Sequence, residues 1–170
     1  LAVLMRGTAI AQDVPTLTQP VNDLAHVIDA DSAAPMDQRI RALQAATKDA
    51  IVVATVDTFA PYASIEEYAV HLFARAGIGS REKDNGILIV LAVRERRVRI
   101  EVGYGLEEWI TDGFAGDTIR QAMLPSFRNG QYGAGLLAGT TWVMHRIAEA
   151  RGVTLTGMPV AEPVRPQMHL

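Results

Sequence analysis

From Ile87 to Val93 the chain is continuously apolar, and from Val98 to Val102 apolar residues alternate with Arg99 and Glu101. The first pattern is that of a strand buried on both faces, the second that of a strand with one polar face. Only the charged turn Arg94-Glu-Arg-Arg97 separates them. A link that short cannot make a parallel crossover, so the two strands form an antiparallel hairpin. The constraint reaches beyond the hairpin itself. The loop entering the first strand, Lys83 to Gly86, and the loop leaving the second, Gly103 to Glu107, must lie at the same end of the sheet. Asp84, Asn85 and Glu107 are thereby gathered as a candidate site, although Asp-Asn-Gly and Gly-Tyr-Gly are equally ordinary turn sequences.

The remaining elements are organised around this pair. Asp31-Ser32 offers an N-cap, Pro35 fits a first turn, and Met36, Ile40, Leu43 and Ala46 recur at helical spacing, which predicts a helix from about Ser32 to Lys48. Ala50 to Val56 is continuous and rich in β-branched residues, as in a buried strand. Ser64-Ile-Glu-Glu67 is a capping box opening a second helix, whose apolar face is Ile65, Tyr68, Ala69, Leu72 and Phe73 and whose stop is Gly77 and Gly79. Strand, helix and strand form a βαβ unit with parallel strands, right-handed by the usual rule. A third helix is predicted from Thr111 to about Leu124, broken by Pro125. The last runs from Tyr132 to Arg151, where Gly133, Gly135 and Gly139 lower intrinsic propensity but allow close packing. The fold class is therefore α/β, a three-layer α/β/α sandwich on a small mixed sheet.

Composition narrows the functional classes. Hydrophobic residues make up 49% of 170 positions, enough for one domain with a proper core. A net charge of -3 with scattered basic residues argues against a nucleic-acid or anionic-membrane surface. There is no cysteine, which excludes disulfides and thiolate metal sites. Apolar runs fall short of the roughly 18–20 residues that span a bilayer. His26, His71, His145 and His169 show no zinc spacing, and no Gly-x-Ser-x-Gly elbow is present. Gly103-Tyr-Gly105 lacks the third glycine of a dinucleotide fingerprint.

Four stretches carry a resemblance: Val21-Asn-Asp-Leu-Ala25, Lys83-Asp-Asn-Gly86, Arg99-Ile-Glu-Val-Gly-Tyr-Gly-Leu-Glu107 and Met123-Leu-Pro-Ser-Phe-Arg-Asn-Gly-Gln-Tyr132. In that order and spacing they resemble the TPM-domain family of thylakoid-lumen, photosystem-associated and MOLO-type proteins, which includes bacterial YgcG-like secreted proteins. The resemblance implies an α/β/α sandwich outside the cytoplasm, divalent-cation binding in some members and a disputed acid phosphatase activity in others. On that basis calcium, or magnesium, is expected at Asp84, Glu107, Asn85 and Asp23, with Gly86, Gly103, Tyr104 and Gly105 forming the binding loop. Asp23 enters through the family motif alone. Glu101 is expected to pair with Arg99 or another neighbour on a solvated face. The domain is expected over 19–151, preceded over 1–18 by a signal-peptide remnant, cut before Gln12, and an extended lead-in. A flexible, proline-containing tail is expected over 152–170. The functional expectation is an exported module, periplasmic or secreted and tethered to the membrane in its full-length form, that assists assembly or turnover of an envelope membrane protein. The alternative is a metal-assisted acid phosphatase acting on phosphate monoesters.

Overall fold

A computed structural model of the chain describes residues 14–158. The expected cleavage before Gln12 and the tail from 159 onward lie outside these residues. Four strands form one sheet in the order β1 (Val21–Asp23), β2 (Ala50–Val56), β3 (Gly86–Ala92) and β4 (Arg97–Val102). β2 pairs parallel with β3, Ala50 opposite Gly86, and β3 pairs antiparallel with β4, Ile87 opposite Val102, as the apolar patterns predict. β1, read in the sequence as lead-in, adds a short parallel edge with Val21 opposite Val53.

Every residue of β3 is buried, because helices cover both faces of the sheet. Ile51, Val53, Ile87, Ile89, Leu91 and Ile100 face α1 (Ala30–Thr47) and α5 (Tyr132–Arg151). Ala54, Val56, Leu88 and Val90 face α2 (Ile65–Ala76). Each fully buried Ile or Leu contributes about 1.5–3 kcal/mol, so the central strand anchors both layers. The two crossovers, β1-α1-β2 and β2-α2-β3, step the same way across the sheet yet lay their helices on opposite faces. They cannot share a hand, so one of them departs from the right-handed rule.

Three elements differ from their sequence reading. α1 begins at Ala30, capped by Asp29, whose carboxylate accepts from the Ser32 amide (2.9 Å) and hydroxyl (2.9 Å). Pro35 consequently falls beyond the first turn. Pro125 does not end the third helix: α3 (Asp112–Asp117) passes into a π-helical segment over Thr118–Met123 and then α4 (Leu124–Arg128). The widened turn, in which the Leu124 amide reaches the Ile119 carbonyl, leads Pro125 into the opening turn of α4, where a missing N–H costs little. Val153, Leu155 and Met158, assigned to the tail, pack against the α1/α5 side of the core.

Candidate functional site: the acidic loop end

Asp84 adopts a left-handed backbone, φ 47°, a conformation that Asp and Asn tolerate better than most residues. The reason lies in its neighbours. Its carbonyl accepts from the Gly105 amide (3.0 Å) and its Oδ2 from the Tyr104 amide (3.0 Å), which stitches the entry loop of β3 to the exit loop of β4. A Cβ on Gly103 would lie 2.3 Å from the Asp84 carbonyl oxygen, and one on Gly105 2.0 Å from that of Lys83. Glycine is therefore required at both places. Gly86 is confined likewise, 2.3 Å from the Ile78 carbonyl oxygen. Tyr104, expected in the binding loop, projects into solvent, 80% exposed.

Asn85 has a different role from its neighbour. It is buried, its Oδ1 accepts from the Ser80 amide (2.9 Å), and its Nδ2 donates to the Lys48 carbonyl (2.9 Å) and to Asp49 Oδ1 (3.1 Å). With its side chain spent inward, it brackets the start of β3 to the α1–β2 loop and cannot serve as an outward ligand. Behind it Asp49, fully buried, receives Arg151 through two bonds of 2.8 and 2.7 Å, while the Arg151 guanidinium lies 4.5 Å over the Trp109 ring. The hydrogen bond to Asp49 raises the Arg151 pKa above its ordinary value, against the opposing effect of burial. The sequence reading missed Asp49: a lone acid ahead of a strand looks like a loop residue, and its partner stands 102 positions away.

Asp23 does not join this end of the sheet. It lies opposite Thr55, in line with Leu91, five strand residues or roughly 16 Å from the Ala50–Gly86 end. Its carboxylate accepts from the amides of Val27 (3.0 Å) and Ile28 (2.9 Å) and from the Thr55 hydroxyl (2.5 Å). That is the chemistry of a turn clamp, and the short motif around it could not reveal which end of the sheet it would occupy.

Glu107 is exposed and borders a polar groove of about 240 Å³ along the outer edge of β4, shared with Glu101, Thr111 and Asp112. Arg99 pairs with Glu101 at 3.1 Å, as expected, and Thr111 caps α3 by accepting from the Phe114 amide. Among the described residues no three acidic or histidine side chains converge closely enough to hold a metal ion. Asp84 Oδ1 and both carboxylate oxygens of Glu107 nevertheless accept no hydrogen bond from the described residues.

The α/β/α body defines a class of fold that known proteins share. The model of the TPM domain matches residues 21–146, and the chain belongs to the TPM-domain family. It is similar to the N-terminal domain of a P. gingivalis protein solved by NMR, at 32% identity over 78% of this chain and 84% of that one, with a TM-score of 0.71. The BA42 protein of the psychrophilic bacterium Bizionia argentinensis shares the fold at 23% identity, over 72% of this chain and 82% of that one, TM-score 0.61. So does the N-terminal domain of a Corynebacterium glutamicum protein at 19%, over 80% and 84%, TM-score 0.57. No curated protein matches the chain at a significant level. No helix among the described residues is long and apolar enough to cross a membrane.

Proposed function

We propose that this TPM domain is an exported divalent-cation-binding module that assists assembly or turnover of an envelope membrane protein. The supporting observation is that Asp84 and Glu107 are exposed at one loop end, and that Asp84 Oδ1 and both Glu107 carboxylate oxygens accept no hydrogen bond from the described residues. Calcium accepts carboxylates, carbonyls and water in an irregular shell. Asp84 and Glu107 keep carboxylate oxygens available for such a shell, which water would have to complete, whereas Asn85 and Asp23 do not, because their side-chain bonds are made within the fold. A shell with so few protein ligands binds weakly, in the range of extracellular calcium modules. Magnesium, stricter in geometry, binds more weakly still.

The test is thermal unfolding in about 0.15 M monovalent salt, where simple surface repulsion is screened. Calcium at a hundredfold excess over its dissociation constant adds about 2.7 kcal/mol, or a rise of about 5–10 °C for a domain of this size. Asp84→Asn and Glu107→Gln each reduce that rise, and Asn85 is not substituted, since its loss would unfold the bracket. Equal shifts in wild type and both variants, or no shift in any, remove the cation reading. The phosphatase alternative needs a general acid beside the bound cation.

A further inference from the structure

At the opposite end of the sheet from the acidic loop, an open cavity of about 410 Å³ lies at the carboxyl end of β3. Its floor is Leu91, its walls are Leu124, Phe127 and Tyr132, and Arg96 and Arg128 stand at its margin. The stretch Met123 to Tyr132, a motif to which the acidic site gives no role, builds most of it. Its shape is fixed by packing. The π-helical turn delivers α4 against α5, where Gly135 leaves room for the Phe127 ring: a Cβ there would lie 2.5 Å from the ring edge. Gly130, at φ 72°, then turns the chain so that the Tyr132 ring meets Phe127 at 5.6 Å.

The charges have no internal explanation. Arg41, Arg99, Arg120 and Arg151 each hold a carboxylate, while Arg81, Arg94 and Arg97 are exposed without one among the described residues and line no part of this cavity. Neither Arg96 nor Arg128 has a carboxylate or hydrogen-bond partner for its guanidinium among the described residues. Arg96 is moreover held at φ 54°, a backbone state that a long side chain seldom adopts. Two unpaired guanidiniums beside an aromatic-walled cavity are mutually repulsive when it is empty, and they present planar forks suited to a carboxylate or phosphate. The volume lies within the range of small-ligand sites.

We infer that this cavity binds a small organic anion with an apolar ring, its head held by Arg96 and Arg128 and its ring between Phe127, Tyr132 and Leu91. The site is independent of the acidic loop end and requires no metal. The experiment is an amide chemical-shift titration of the labelled protein, without divalent cations, using four probes. Benzoate and benzylphosphonate carry a ring with a carboxylate or phosphate-like head; acetate carries only the head and benzyl alcohol only the ring. Both ring-bearing anions are expected to saturate shifts at Leu91, Arg96, Phe127 and Tyr132, and the tighter of the two identifies the head. Acetate and benzyl alcohol bind at least about tenfold more weakly, the loss anticipated for one charge-assisted contact or one buried ring. Arg96→Gly and Arg128→Gln each weaken benzoate by about tenfold, while Arg81→Gln, exposed near the acidic end, changes nothing. Glycine is at ease at the Arg96 backbone angle, so an unchanged melting temperature in Arg96→Gly shows that lost binding is not lost folding. Equal binding of benzyl alcohol and benzoate, insensitivity to both arginine variants, or no saturable shift with either ring-bearing anion overturns the inference.

Discussion

At the scale of single residues, the loop end is held by Asp49, which no water reaches and which is bonded to Arg151 and Asn85. A buried carboxylate stripped of its cation is far costlier than the pair was favourable. Arg151→Ala is therefore expected to lose about 3 kcal/mol in urea unfolding, although Arg151 itself is partly exposed. Tyr68 gives a second residue-scale prediction. Burial first, and the nearby Tyr62 second, push its phenol up to about 12. Since the folded pKa lies above the unfolded value, the contribution is intact below about pH 10 and is lost as pH rises from there toward 12, on the order of 2 kcal/mol in all. Tyr68→Phe should flatten that part of the stability profile, measured by denaturant titration between pH 9 and about 12. Residues of this kind are hard to read from a string. Asp84 and Glu107 were legible because hairpin topology alone places them, whereas the inward turn of Asn85 depends on Lys48 and Asp49, more than thirty positions upstream.

Among elements, the hairpin and the parallel pair β2/β3 were legible because periodicity reports burial directly: β3 is apolar throughout and β4 alternates. β1 was not, because three residues of Val-Asn-Asp carry no period. Nor was the π-helical turn, whose apolar positions mimic an ordinary helix until the path past Pro125 is known. The stitched loops yield a prediction at this scale. Gly103→Ala drives a methyl against the backbone of Asp84, which cannot retreat without breaking the Tyr104 and Gly105 bonds, and should cost about 2–3 kcal/mol. Gly139→Ala meets side-chain atoms of Met123, Cε at 2.1 Å and Cγ at 2.6 Å, which can shift by rotamer as the Asp84 backbone cannot, and should cost less. Thermal unfolding of the two variants side by side checks the order; a smaller loss for Gly103→Ala would mean that the loops are not clamped together.

For the whole molecule, what matters is that the two candidate regions sit at opposite ends of one sheet whose core is shared. The acidic end gathers the starts of β2 and β3, the arginine cavity the carboxyl end of β3 and the turn that follows it. The lead-in residues Leu17 and Thr18 run past Ala50, and α5 delivers Arg151 to Asp49. The segment leading into β1 and the last turn of α5 thus both lie at the acidic end. The loops around Asp84 and Gly103 share that end with both segments, so that a pull on either one would strain the acidic loops before it reached the Phe127–Tyr132 cavity at the far end of the same core.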